Sequence, residues 1–106
     1  MDELVQRLAE GDHPVVTQRY NSAEELKQAI DRGYVLVKFT ATRGGTELGS
    51  RLDPTLTHLQ DADFTQSTGQ VHLVGNLTLN YVKVRCIADV DIATREGKGH
   101  LEILGE

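Results

Sequence analysis

The sequence contains no tryptophan, one cysteine, two prolines and two phenylalanines in 106 residues, and each shortage removes a class of function. A lone Cys86 cannot form an intrachain disulfide, and metal sites built on paired thiolates are excluded. Such cysteine usage fits a reducing compartment. With three tyrosines as the other aromatic residues, stacking platforms for single-stranded bases are few. No stretch gathers the Lys and Arg that would neutralise several phosphates, and 16 acidic against 11 basic residues give a formal net charge of −5. Nucleic acid is therefore not expected as a partner. No apolar run approaches the roughly 18 residues of a membrane span, and Met1-Asp2-Glu3 lacks the basic and apolar regions of a secretory signal. No membrane contact is expected, and the expected location is cytoplasmic.

What remains is an ordinary folding composition: 39% apolar and 25% charged residues are enough for a core and too apolar for a disordered chain. The length predicts a single domain over 1–106. Leu4, Val5, Leu8 and Ala9 recur at helical spacing before Gly11, which predicts a short amphipathic helix over 2–10. Ser22 followed by Glu25 has the spacing of a capping box, and Leu26, Ala29 and Ile30 share one face of a second helix that Gly33 should close.

From Tyr34 onward the period changes to two. Val35, Val37, Phe39 and Ala41 alternate as in a strand. Gly44-Gly45 reads as a two-residue hairpin loop, which would set Ala41 against Leu48, Phe39 against Ser50 and Val37 against Leu52. Residues 53–68 read as a loop with a helical turn around Leu56, Leu59 and Phe64. A tight turn at Asn80-Tyr81 pairs Leu79 with Val82, Leu77 with Val84, Leu73 with Ala88 and Val71 with Val90. A further turn at Glu96-Gly97 would pair Ile92 with Leu101 and Val90 with Ile103. The predicted fold is α+β: one or two N-terminal helices, then a mainly antiparallel five-stranded sheet ending in a three-stranded meander, flat or curled into a half-barrel.

Three sets of residues could carry function on that frame. The outer face of the meander places His72 across from Asp89, Asn76 across from Arg85, Val74 across from Ile87, and Asp91 across from Glu102. Directly opposed carboxylates cost up to about 1 kcal/mol, and a divalent cation held by His72, Asp89, Asp91 and Glu102 would remove that repulsion. The competing explanation is that the carboxylates splay into water beside Arg95, Lys98 and His100. Val74, Ile87 and Leu104 make the same face partly apolar, which suits burial by a second copy or a protein partner. On the inner face Phe39, Gly75, Cys86 and Ala88 mix large with small side chains. The room so left would hold a small apolar ligand if the sheet curls, or accept helix side chains if it does not.

No residue set suggests catalysis. Cys86 lies on the buried face without a charged neighbour, as an inert core thiol does. His72 with Asp89 resembles a surface ion pair more than an acid-base pair. Arg43-Gly44-Gly45 joins two strands, whereas the common phosphate loops lead from a strand into a helix. The preferred expectation is a non-enzymatic binding or accessory protein, homo-oligomeric, that acts through a sheet face and needs no cofactor. The alternatives are a half-barrel or small enzyme with a pocket for a small apolar molecule and, more weakly, a metal-binding module.

Overall fold

Both helices begin and end where side chains can satisfy their unpaired backbone groups. In the computed structural model, which describes residues 2–105, α1 (Glu3–Ala9) starts as Asp2 Oδ1 accepts the Val5 N–H at 3.1 Å. That bond also draws the Asp2 carboxyl below its ordinary pKa. α2 (Ala23–Arg32) starts at Ser22, whose Oγ accepts the Glu25 N–H at 3.1 Å, while Glu25 Oε1 accepts the Asn21 N–H at 3.2 Å. Gly33, at φ 82°, closes α2 and donates its N–H to the carbonyls of Ala29 and Ile30. A left-handed residue is needed there, and glycine adopts that conformation without a Cβ penalty.

The strands are β1 (His13–Val16), β2 (Tyr34–Phe39), β3 (Thr46–Leu52), β4 (Ala62–Asp63), β5 (Thr68–Leu79), β6 (Val82–Asp91) and β7 (Glu96–Gly105). The expected five-stranded sheet ending in a three-stranded meander is thereby corrected. All seven strands join one antiparallel sheet in the order β3-β2-β1-β7-β6-β5-β4. A half-barrel is corrected as well: β3 also pairs with β5, Arg51 opposite Asn76 and Leu52 opposite Gly75, so that β1, β2, β3, β5, β6 and β7 form a closed ring.

The two extra strands are short. β1 contains Pro14, which cannot donate to a ladder and so reads as a loop residue. Its carbonyl nevertheless accepts the Thr40 N–H at 3.2 Å, and β1 joins β2 to β7. β4 is a two-residue pairing within the segment that the sequence shows as a loop.

Registers follow the turns. Asn80 and Tyr81 both have positive φ, 49° and 68°, as a type I′ turn requires. The β5–β6 ladder therefore has the register predicted for it, from Leu79 opposite Val82 to Val71 opposite Val90. The other two hairpins differ. Gly45 donates its N–H to the Thr42 carbonyl at 2.9 Å, and Thr42 Oγ1 bonds the Phe39 carbonyl and Thr46 Oγ1. The loop thus occupies 40–45, and Val37 faces Leu48 rather than Leu52. An even shift in register keeps the same side chains inside.

Between β6 and β7 the turn forms at Asp91, whose Oδ1 accepts the N–H groups of Ala93 and Thr94, with Arg95 left-handed at φ 61°. Gly97 is a strand residue opposite Val90, Leu101 faces Cys86, and Ile103 faces Val84. Its glycine serves a close approach and not a turn, since a Cβ at 97 would lie 1.8 Å from the Asp89 carbonyl oxygen.

The helices sit at opposite mouths of the ring. α1 lies near the β2–β3 loop, where an Arg7 guanidinium N–H donates to the Ala41 carbonyl at 3.2 Å. α2 lies at the other mouth, where the Gly33 carbonyl accepts the Leu52 N–H at 2.8 Å and the Lys27 ammonium stands 5.8 Å from the Phe64 ring centroid. Val5 and Leu8 of α1 and Leu26, Ala29 and Ile30 of α2 enter the same core as Phe39, Leu73, Ile92 and Leu101. Each large side chain buried this way contributes roughly 1.5–3 kcal/mol relative to its exposed state. No helix among the described residues is long and apolar enough to cross a membrane.

Candidate functional site

The barrel interior brings together the residues considered for an apolar ligand, and it fills the room between them. Phe39, Cys86 and Ala88 belong to one buried cluster. The space beside Gly75 is occupied by Ser50 from the closing strand: a Cβ at 75 would stand 2.7 Å from Ser50 Cβ and 3.0 Å from the Arg51 carbonyl oxygen. Small residues here accept a neighbouring backbone. Burial pushes the Cys86 thiol up to about 11, with the nearby Ser50 hydroxyl pulling weakly the other way. At neutral pH this sulfur is a thiol and not a nucleophile.

Alternation along β5, β6 and β7 carries the remaining candidates to the outside. His72 Nδ1 and Asp89 Oδ1 are 2.7 Å apart on neighbouring strands. The His58 ring stacks against His72 at 6.0 Å between centroids, and the two residues exchange backbone hydrogen bonds of 2.9 Å in each direction. In the next row inward Val74 faces Ile87, which faces His100. His100 Nδ1 lies 3.3 Å from Asp12 Oδ1. The row beyond holds Asn76, Arg85 and Glu102, with an Arg85 guanidinium N–H donating to Glu102 Oε1 at 3.0 Å.

Several expected neighbours are separated by the β6–β7 register. Glu102 is opposite Arg85 and not Asp91, and the Asp91 carboxylate caps the turn that follows it. The opposed carboxylates that motivated a cation at His72, Asp89, Asp91 and Glu102 are thus apart. Among the described residues no group of three or more His, Cys, Asp and Glu side chains is placed to hold a metal ion. Val74 is 4% exposed. It lies under the segment after β3, where Thr57 Oγ1 donates to the Val74 carbonyl at 3.1 Å and accepts its N–H at 3.2 Å. Ile87 is half-buried and Leu104 is 48% exposed, so these two remain on the surface.

A concavity that sequence reasoning missed opens at the α2 mouth. It encloses about 560 Å³ and is walled by Ile30–Gly33, by Arg51 and Leu52 of β3, and by Pro54, Thr57 and Leu59. No local motif marks it, because its walls come from segments brought together by long-range pairing, among them the Leu52-to-Gly33 hydrogen bond and the bonds of Thr57 to Val74. The segment 53–57 is shaped by Asp53, whose Oδ1 accepts both the hydroxyl and the N–H of Thr55, at 2.6 and 2.9 Å. Those bonds hold the Asp53 carboxyl below its ordinary pKa. A second, shallower groove of about 480 Å³ runs beside Asp89 and is lined by Asp12, Gln70, Glu96, Gly97 and Lys98. No protein-family model matches the chain, and no curated protein shows significant similarity to it.

Proposed function

We propose that this is a non-enzymatic binding protein that works through the outer face of β5, β6 and β7, and that its occupant is a second copy of the same chain. The observation that carries this reading is the arrangement around Ile87. A half-buried branched apolar side chain stands at the centre of the face, and three polar side-chain pairs surround it: His72 with Asp89, Arg85 with Glu102, and His100 with Asp12. An apolar centre with a polar rim is the usual anatomy of a protein interface. The charges of the face come close to balance, with Lys83, Arg85 and Lys98 against Asp89, Asp91, Glu96 and Glu102. A chain of net charge −5 repels its own copies in general, and a face close to neutral is where that repulsion is small.

The filled interior supports a surface role over an internal pocket, and the protonated Cys86 supports binding over thiol catalysis. Sedimentation from micromolar to millimolar concentration tests the proposal. The expected result is a mass that rises with concentration in the native chain and stays monomeric in Ile87→Asp, with circular dichroism unchanged because the side chain is already partly exposed. A monomer at every concentration, or association that Ile87→Asp leaves intact, overturns it.

A further inference from the structure

We infer that the cleft at the α2 mouth is a binding site for a small amphiphilic anion, a molecule with a carboxylate head and an apolar body. Ile30, Leu52, Pro54 and Leu59 supply apolar wall, and the volume of about 560 Å³ is that of ordinary small-molecule pockets. Three charged residues line it: Asp31, Arg32 and Arg51. The Asp31 carboxylate is already held by the Lys27 ammonium, at 2.8 and 2.9 Å to its two oxygens. Neither arginine has an ion-pair partner among the described residues. The cleft therefore has a local positive excess in a chain whose formal net charge is −5.

The two arginines are kept together by the fold and not by their sequence positions. The Leu52 N–H donates to the Gly33 carbonyl at 2.8 Å, which fixes the residues following Arg51 and Arg32 against each other. On its other side the wall is fixed by Thr57, whose hydroxyl is engaged in both directions with Val74. The cleft is thus preformed, so binding need not order its walls. Guanidinium groups present paired N–H donors that match a carboxylate in two-point geometry. A neutral apolar molecule would leave both guanidinium groups without a partner, and an inorganic anion would leave the apolar wall exposed.

Decanoate, decanol and inorganic phosphate separate these contributions when each is titrated into the full chain and followed by amide chemical shifts and calorimetry. Decanoate is expected to bind saturably, with the largest shifts at 30–33, 51–52 and 57–59. Decanol and phosphate are each expected to bind about tenfold or more weakly, the loss usual when a charge-assisted contact or an apolar surface is removed. Arg32→Gln with Arg51→Gln should weaken decanoate about tenfold or more. Arg43→Gln, at the opposite mouth, should not change it. All three arginines are exposed, so the variants fold, which circular dichroism verifies. Saturation with shifts elsewhere on the molecule, equal affinity for decanol, or no effect of the double substitution would each overturn the assignment.

Discussion

Raising the pH tests whether Cys86 is the inert core thiol that its surroundings imply. Its side chain is 2% exposed, and burial raises its pKa from 9.0 to about 11, because desolvation penalises the thiolate and not the neutral thiol. In the unfolded chain the thiol titrates near its ordinary value. Between about pH 9 and pH 11 the unfolded state therefore gives up a proton that the folded state retains. Stability from this group is fully present below pH 9 and is lost as pH rises through the folded pKa. A shift of about two units corresponds to roughly 3 kcal/mol, a large part of the 5–15 kcal/mol that holds a typical domain together.

Urea unfolding of the native chain and of Cys86→Ala, at pH 7, 9, 10 and 11, isolates the contribution, since lysine and tyrosine titrations are shared by both. At pH 7 the variant should be less stable by about 1–2 kcal/mol for the lost sulfur contacts. The gap should close, and then reverse, as the pH approaches 11. In parallel, a thiol reagent should label the native chain at neutral pH only as fast as the barrel opens, and label the urea-unfolded chain at once. A stability difference that is constant with pH, or native labelling as fast as unfolded, would refute the placement of Cys86 in a filled interior.

Two further substitutions test the turns and registers that build the outer face of β5, β6 and β7. Tyr81 is 93% exposed at φ 68°; Tyr81→Gly relieves a left-handed Cβ worth about 1–2 kcal/mol and returns part of it as chain entropy. The melting temperature should rise by a few degrees, and a fall would mean that the ring makes a contact its exposure hides. In Gly97→Ala the new Cβ would sit 1.8 Å from the Asp89 carbonyl oxygen, a backbone atom, so β6 and β7 must separate at a cost of about 3 kcal/mol or more. A loss of less than about 1 kcal/mol in urea unfolding would show that the β6–β7 register is wrong.

Local patterns carried the helices and the face of every long strand, because caps and alternation are written within a few neighbouring residues. Ser22, Glu25 and Gly33 locate α2, and the β5–β6 ladder follows from one turn. What was not legible depends on partners remote in sequence. Pro14 looks like a breaker until β2 and β7 are known to lie beside it. Gly97 resembles a turn residue until the Asp89 carbonyl is placed against it. Asp91 reads as a possible metal ligand until its Oδ1 is placed at the turn, where it accepts the N–H groups of Ala93 and Thr94. Closure of the ring rests on Arg51 opposite Asn76 and Leu52 opposite Gly75, a pairing that glycine at 75 permits and no periodicity announces. The Arg32 and Arg51 cleft is hidden for the same reason, since it exists only after closure.

The segment after β3 is where these long-range effects meet. A stretch with so little regular structure would be expected to move, yet here it is pinned at successive points. Asp53 donates its N–H to the Val74 carbonyl at 2.8 Å, Thr57 engages Val74 in both directions, and His58 exchanges backbone bonds with His72. Each of these anchors lies on β5, so the segment replaces the strand that β5 would otherwise need on that edge. An uncovered β5 would expose Val74 and a row of unpaired backbone groups, which invites indiscriminate pairing. With the edge covered, the apolar surface left on the outer face narrows to Ile87 and Leu104, and the covering segment becomes one wall of the cleft at the α2 mouth. Protection of a strand edge and construction of a concave surface outside the barrel are thus one consequence of the same anchored residues.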